Sequence, residues 1–404
     1  MSSFATTPSL RATADAPTRR PLFDAATASH ALDVAERLYA AALPDIARGP
    51  GFPESISRYG GATIVAEALA RAGREDRVRE PLREALVFAP DRLSLYDGAA
   101  GLLVALDTVD PHHATLGSVR AKLCDTLAAS LRDLPPGDPA TSRSYELITG
   151  PAGRAIALAR ASGEPVPAFA PFAHRLADAI ERALERTGAD AHEDDGGDEV
   201  LVNLGVSHGI AGVLAALNVA LPEDRALARR YTELLLRCAH RVDGAHRWGA
   251  VWRPEERPTA RRAWCYQTIG IAAVLADRAR IDGDAALHAL AEHAVAALLD
   301  SDESQAIPIP WDAALCHGRA GVAAIAWSFA GDAALVRHAE RLAREILDEF
   351  DPHRPFGYAL ASFGEGPQDR TAFLDGALGV AQFLIDAATA QERRWLPLFG
   401  LAPD

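Results

Sequence analysis

Two kinds of helical pattern alternate along most of the chain. One is apolar on nearly every side and consists of small and aliphatic residues, as in IAGVLAAL from position 210. The other is charged on one face and apolar at i, i+3, i+4 and i+7, as in VRHAERLAREILDEF from position 336. A helix of the first kind is typical of a buried position and one of the second kind of a surface position. The alternation therefore predicts an inner and an outer set of helices.

A short glycine motif marks the start of each apolar helix. Gly-x-x-Gly recurs at steps of 51 to 59 residues, with Gln267 as the first member of the fourth copy. The short segment that directly precedes each motif is called its lead-in below. The six pairs are Gly98 and Gly101, Gly150 and Gly153, Gly209 and Gly212, Gln267 and Gly270, Gly318 and Gly321, and Gly376 and Gly379. A step of this length accommodates two helices with their connections. RYGGATIVAEALA from position 58 is a candidate for a seventh unit.

The repeat predicts an all-α protein, an α/α toroid in which about seven helix pairs form a double ring. Glycine permits close approach of buried helix starts. Helix starts gathered at one end of a ring are expected to direct unpaired N–H groups into a shared cavity. An open α-solenoid or an irregular bundle is the alternative.

The domain organisation predicted from the pattern is simple. Residues 1–25 are expected to be disordered because they are poor in apolar residues and rich in Pro and small polar residues. Residues 26–404 are expected to form one toroid domain with loop insertions near 189–200 and 243–262. The second insertion is interpreted as a loop or short hairpin beside the cavity and a candidate peptide contact.

Composition narrows the class of protein. With a net charge of −14, the chain lacks the basic character that nucleic-acid binding requires. No apolar segment approaches the roughly 18 residues of a membrane span, and the first 25 residues contain no signal-peptide core. Four cysteines are too few for a disulfide framework, and Cys124 and Cys238 are predicted to be ordinary buried or half-buried residues. We therefore expect a cytoplasmic protein in which Cys and His serve a metal or catalysis.

Cys265, Cys316 and His317 stand at the starts of two successive apolar helices. Thiolate and imidazole donors suit Zn²⁺, and three protein ligands leave one position open, as in catalytic zinc sites. Two separate buried cysteines and a capping histidine are the alternative. Two thiolates and a neutral imidazole would neutralise the ion, so an added substrate thiolate stays electron-rich. The donor set favours thiol activation over hydrolysis.

Other lead-in residues suggest the remaining chemistry. His208 suits a general acid or base, with a local helix-start hydrogen bond as the alternative. Arg261 would present a positive charge to a developing enolate. Glu146 and Asp97 are lead-in carboxylates that could cap their helix starts, which is the role expected of Asp97.

The motifs SHGIAG, RRAWCYQTIG and LCHGRAG, on a repeat that ends in FLDGALGVA, resemble the LanC family of lanthipeptide cyclases. The resemblance extends from about residue 35 to the C-terminus and is of the stand-alone, class I type. It implies a toroid of seven inner and seven outer helices. It also implies one Zn²⁺ per chain, held by Cys265, Cys316 and His317.

The resemblance further implies a reaction. A cysteine thiolate of a dehydrated precursor peptide adds to Cβ of dehydroalanine or dehydrobutyrine, and protonation of the enolate leaves a lanthionine or methyllanthionine ring. His208, Arg261, Trp264 and Tyr266 match family positions near the metal, with proton transfer assigned to His208 and enolate stabilisation to Arg261. The implied partner is the leader and core of the precursor peptide. A lanthipeptide dehydratase and an exporter are further candidates.

Two positions depart from the family pattern. The family has Asp where this chain has Glu146, which leaves open whether this carboxylate is the partner of His208 or a base. The family has Gly where this chain has Gln267, whose side chain is expected to narrow the cavity or contact the substrate.

Three other functions stay open at this point. A LanC-like protein could bind or transfer another thiol, such as glutathione. A non-catalytic helical-repeat scaffold would need neither His208 nor Cys265. A glycosidase on an α/α toroid needs two carboxylates across a sugar cleft, and the lead-ins hold Cys and His at those places instead.

Overall fold

The computed structural model describes residues 20–47, 55–74, 92–96, 98–111, 116–188, 201–302, 311–362 and 365–402. The helices within these ranges are α1 (Ala25–Ala47), α2 (Ser55–Arg71), α3 (Ala99–Val109), α4 (Gly117–Ser130), α5 (Pro151–Ser162), α6 (Ala170–Gly188), α7 (Ile210–Ala220), α8 (Arg225–Arg237), α9 (Thr268–Asp282), α10 (Ala285–Leu299), α11 (Arg319–Ser328), α12 (Ala333–Asp348) and α13 (Ala377–Thr389). Two antiparallel hairpins pair β1 (His240–Val242) with β2 (Ala245–Arg247) and β3 (Leu360–Ser362) with β4 (Glu365–Gln368).

Seven helices form a closed inner ring. In the order α2, α3, α5, α7, α9, α11 and α13, each contacts the next, and α13 contacts α2. From α3 onward, nearly every residue of these helices is buried, as an apolar pattern on all sides predicts. The predicted toroid is confirmed. The candidate seventh unit is α2, although Gly60 and Gly61 lie inside this helix and do not precede it.

Six helices of the described chain lie outside this ring: α1, α4, α6, α8, α10 and α12. Four of them follow an aspartate whose carboxylate accepts a hydrogen bond from an N–H group of the first turn, at Asp24, Asp224, Asp284 and Asp332. The helical pattern DRVREPLREALVFA, from position 76, lies outside the described residues.

The second glycine of each motif makes room for the lead-in. A Cβ at Gly101, Gly153, Gly212, Gly270, Gly321 or Gly379 would lie 1.8–2.3 Å from the carbonyl oxygen six residues earlier. The lead-in therefore folds back over the first turn of its helix. N–H groups at helix starts donate to it, as from Ile210 to Asn203 (3.0 Å) and from Arg319 to Asp312 (2.8 Å). The expectation of unpaired N–H groups in a shared cavity is wrong here, because the lead-in backbone accepts them.

The C-terminal residues fill the interior of the ring. The short 3-10 turn Leu396–Phe399 is buried and contacts α3 and α5. The indole N–H of Trp264 donates to the carbonyl of Phe399 at 2.9 Å, and the N–H of Ala402 donates to Asp277 at 2.9 Å. Residues 396–402 therefore pack inside the ring, against the lead-in of α9 and against α9 itself.

The predicted disordered segment and loop insertions are described only in part. Residues 1–19 and 189–200 lie outside the described residues. Leu22 and Phe23 are buried, and the N–H of Leu22 donates to the carbonyl of Ala387 at 2.8 Å. The 243–262 segment holds the turn and second strand of the β1–β2 hairpin, followed by a loop that leads to α9. In the part of the chain that is described, no helix is long and apolar enough to cross a membrane.

Candidate metal centre

The lead-ins are joined side by side through their backbones at one end of the ring. The N–H of Cys316 donates to Leu374 (2.8 Å), that of Cys265 to Cys316 (3.3 Å), and that of Ser207 to Cys265 (3.2 Å). The N–H of Leu147 donates to Ser207 at 3.2 Å. Because Cys265 and Cys316 hold equivalent positions of neighbouring repeats, these bonds place their side chains next to each other.

Cys265, Cys316 and His317 come together as the sequence predicts. Their ligand atoms all lie within 4.8 Å of one another, with Cys265 and His317 buried and Cys316 half-buried. Adjacent residues on a regular helix diverge, but Cys316 and His317 precede α11, so both side chains turn to the same place. Two sulfur donors and one nitrogen donor at these distances fit the coordination that Zn²⁺ prefers. The three residues could hold a metal ion.

The two thiols share a hydrogen bond that separates their acidities. The bond from Cys316, helped by the positive charge of Arg261, lowers the pKa of Cys265, although burial opposes this. The same bond and burial raise the pKa of Cys316 well above its ordinary value. Cys265 is therefore the more acidic thiol of the pair. A cation bound to both sulfurs would favour the thiolate form of each.

Asp312 is a functional candidate that sequence reasoning missed. Its Oδ2 lies 3.8 Å from Nε2 of His317, and both side chains are nearly fully buried. Its Oδ1 accepts the N–H of Ala314 at 2.9 Å, which fixes the carboxylate. A buried carboxylate beside one imidazole nitrogen orients the ring and leaves Nδ1 for a metal. The only sequence signal was an Asp six residues before Gly318, in an apolar lead-in.

The structure resolves the geometry of Glu146. This carboxylate is fully buried, and its Oε2 lies 3.0 Å from Nδ1 of His208. It also accepts the N–H groups of Ile148 (2.7 Å), Thr149 (2.5 Å) and Gly150 (3.1 Å), which precede α5. Glu146 therefore fixes its own lead-in and orients His208, but it does not cap α5, whose N-cap Gly150 has no side-chain hydrogen bond. The His208 side chain is 39% exposed, so its Nε2 can face a substrate.

His208, Tyr266 and Arg261 form a row beside the cysteines. The ring centroids of His208 and Tyr266 are 5.9 Å apart, and Cζ of Arg261 lies 5.9 Å from the Tyr266 centroid. Burial, followed by the negative charge of Cys265 and Cys316, raises the pKa of Tyr266 to about 12. Its phenol is therefore a neutral O–H donor at physiological pH.

Trp264 and Gln267 are both buried in the structure. Trp264 is fully buried, and its ring stacks on Phe399 with a centroid distance of 4.1 Å. It can support Cys265 but has no surface for a substrate. Gln267 is also buried, and its amide is hydrogen-bonded to the Thr259 side chain. Its expected effect on the cavity or on the substrate stays a prediction.

The other predicted residues contribute little to the centre. Cys238 is fully buried and free, and burial raises the pKa of its thiol to about 12. Cys124 is half-buried and free. Both are ordinary cysteines, as predicted, although α8 ends just before Cys238. Asp97 lies outside the described residues.

A closed inner ring of seven helices, with further helices outside it in the described chain and with two cysteines and one histidine at one end, defines a toroidal all-α protein with a candidate metal site. A family model for lanthionine synthetase C-like proteins matches residues 65–399, and the chain belongs to this family. The predicted LanC resemblance is confirmed. Among solved structures, nisin cyclase matches with a TM-score of 0.59 and 16% sequence identity, over 91% of this chain and 97% of that one. No curated protein matches the sequence.

Proposed function

We propose that this protein is a zinc-dependent peptide cyclase. It would add cysteine thiols of a dehydrated precursor peptide to dehydroalanine or dehydrobutyrine and so form (methyl)lanthionine rings. The observation that carries the proposal is the convergence of Cys265, Cys316 and His317 within 4.8 Å. Family membership and the resemblance of the fold to that of nisin cyclase support it.

The bonds formed and broken match the residues of the site. Zn²⁺, when held by Cys265, Cys316 and His317, would bind the substrate thiol and favour its thiolate. In the addition a Cβ–S bond forms, and the electrons of the Cα=Cβ bond move onto the neighbouring carbonyl as an enolate. The guanidinium of Arg261 stabilises that negative charge.

His208 would complete the reaction by taking up the proton that the substrate thiol releases and delivering a proton to Cα, so that no net proton is gained or lost. Because Nδ1 is directed at Glu146, the exposed edge of the ring presents Nε2 to the enolate. The carboxylate of Glu146 fixes the ring orientation and is itself held by N–H groups of the residues that precede α5. The neutral phenol of Tyr266 lies between His208 and Arg261, where it can donate to the substrate.

The reaction also implies partners and a compartment. A dehydratase must act first, since the acceptor is a dehydroamino acid, and an exporter would carry the finished peptide. All four cysteines are free, as a reducing compartment favours. We place the protein in the cytoplasm on that ground.

Metal analysis and a cyclisation assay test the proposal. Purified protein should contain one zinc per chain, and Cys316→Ala should lose both zinc and activity. Cyclisation leaves the peptide mass unchanged, so ring formation is measured as the loss of thiols that a maleimide can alkylate. Cys124→Ala, at a half-buried cysteine on the outer helix α4, should keep both.

Two results would overturn this function. One is a Cys316→Ala variant that cyclises dehydrated peptide at the wild-type rate. The second result would come from a cyclisation assay that also contains free glutathione. A peptide that gains the mass of glutathione and keeps its own thiols would assign the protein to intermolecular thiol transfer.

A further inference from the structure

Gln267 differs from the other first-position residues of the repeat in its backbone as well as in its side chain. The five glycines have φ between −86° and −145°. A Cβ in that conformation would lie 2.2–2.5 Å from atoms of its own lead-in. Gln267 has φ +67° and ψ −156°, a region that residues with a side chain rarely adopt. This rotation avoids the lead-in and directs the side chain elsewhere.

The redirected side chain reaches the loop that precedes α9. Nε2 of Gln267 donates to Oγ1 of Thr259 at 2.9 Å, and this hydroxyl lies 3.2 Å from Oε1 of the same amide. Either orientation of the amide therefore gives a hydrogen bond. Gln267 is only 7% exposed, so this bond is shielded from water on one side.

Arg261 lies between two attachment points of this loop. On one side Thr259 is bonded to Gln267. On the other side Arg262 donates to the carbonyls of Leu298 (3.3 Å) and Ser301 (2.7 Å), at the C-terminal end of α10, where a cation is favoured. Thr259, two residues before Arg261, and Arg262, directly after it, are therefore both hydrogen-bonded. This restricts the positions that the Arg261 guanidinium can take.

We propose that Gln267 and Thr259 form a latch that positions Arg261 over the site. The latch is the Thr259–Gln267 hydrogen bond together with the left-handed backbone that aims it. Gln267 is a positioning residue, since it acts through the loop. The benefit of the latch for catalysis rests on the proposed function, in which Arg261 stabilises the enolate. The Thr259–Gln267 hydrogen bond itself does not depend on the proposed function.

Limited proteolysis tests the latch without any activity. In the loop sequence WRPEERPTARRAW, Arg253 and Arg257 precede proline and resist trypsin, so cleavage there is confined to the bonds after Arg261 and Arg262. Thr259→Val removes the hydroxyl at equal size, and Thr259→Ser keeps it. We expect native Thr259→Val to be cut at these bonds roughly two- to tenfold faster, the effect of losing one hydrogen bond, and Thr259→Ser at the wild-type rate.

Gln267→Gly separates the latch from a general structural role. Glycine can adopt the backbone of the other five motifs, so the melting temperature should be unchanged or higher. Cleavage after Arg261 and Arg262 should nevertheless accelerate as in Thr259→Val. A lower melting temperature without faster cleavage would assign Gln267 to fold stability and reject the latch, as would equal cleavage of the Val and Ser variants.

Kinetics test the catalytic benefit. With the zinc content unchanged, Thr259→Val should lower kcat roughly tenfold with KM within about twofold, because Arg261 acts on a charge present only after addition. Thr259→Ser should restore kcat. Wild-type protein that forms no rings would reject the proposed function while the tryptic result still decides the latch.

Discussion

At the residue scale, neighbours that are distant in sequence determine the acidity and orientation of the key side chains. His317 has Asp312 on one edge, and His208 has Glu146 on one edge, in both cases a buried carboxylate. The hydrogen bond between Cys265 and Cys316 lowers the pKa of the first thiol and raises the pKa of the second. Each predicted ligand therefore depends on a second residue for its orientation or charge.

Asp312→Asn should weaken zinc binding roughly 10- to 100-fold, because His317 would lose the carboxylate that orients it. Asparagine keeps an Oδ1 that can accept the N–H of Ala314, so the fold should persist. Competition with a chromophoric chelator measures the affinity. Asp300→Asn is a matched control at an exposed Asp–His pair, with His338, and should bind zinc normally. Equal affinities in the two variants would contradict this role of Asp312.

The buried thiol of Cys238 makes stability depend on alkaline pH. Its pKa rises from 9.0 to about 12 on folding, so between these values the folded state binds more protons than the unfolded state. Stability from this residue is complete below its ordinary pKa and declines as pH rises through this window. The advantage of wild type over Cys238→Ala should shrink by about 1–3 kcal/mol between pH ~9 and ~11, measured by denaturant unfolding. A constant difference across this window would refute the assignment.

At the scale of elements, the Gly-x-x-Gly motif is a packing device. The first glycine begins the helix, and the second lets the lead-in carbonyl rest against the first turn. Outer helices use a different start, with aspartate side chains as caps at Asp224, Asp284 and Asp332. At inner helix starts the backbone carbonyls of the lead-in accept N–H groups instead, as Asn203 does from Ile210.

Gly321→Ala should destabilise the fold by about 2–4 kcal/mol, because its Cβ would lie 1.8 Å from the carbonyl oxygen of Leu315. The lead-in that would have to move carries Cys316 and His317, so zinc affinity should fall as well. Gly117→Ala, at the start of α4 with no atom within 4 Å of the new Cβ, should be neutral or slightly stabilising. Chemical denaturation of both variants decides the point, and equal stabilities would refute this explanation of the motif.

At the scale of the whole molecule, the ring encloses its own C-terminus. Phe399 is fully buried between Trp264, at 4.1 Å, and Trp395, at 5.0 Å between ring centroids. Tyr96 donates to the carbonyl of Leu398 from the opposite part of the ring. The chain end thus links lead-ins that are far apart in sequence and supports the residue next to Cys265.

Phe399→Ala should cost about 3–5 kcal/mol of unfolding free energy, the usual effect of deleting a buried aromatic ring. Because Trp264 would lose its stacking partner, zinc affinity should decline beyond what a uniform loss of stability explains. Phe399→Leu retains most of the apolar volume and should lose less of both. Urea unfolding with and without zinc measures the two effects, and a wild-type zinc affinity in Phe399→Ala would show that the C-terminus does not support the centre.

The amino-acid sequence predicted the inner and outer helices, the repeat unit and the three metal-binding candidates, while closure of the ring came from the structure. Apolar periodicity and glycine spacing are local properties. The metal preference of cysteine and histidine follows from the residue types alone. Tertiary structure alone decided that Asp312 lies beside His317, that Glu146 orients His208, and that Trp264 packs into the core. It also decided that Gln267 adopts φ +67° and bonds to Thr259. These features depend on which lead-in contacts which loop or neighbouring lead-in in the closed ring. Local sequence patterns do not predict contacts between residues that are far apart in sequence.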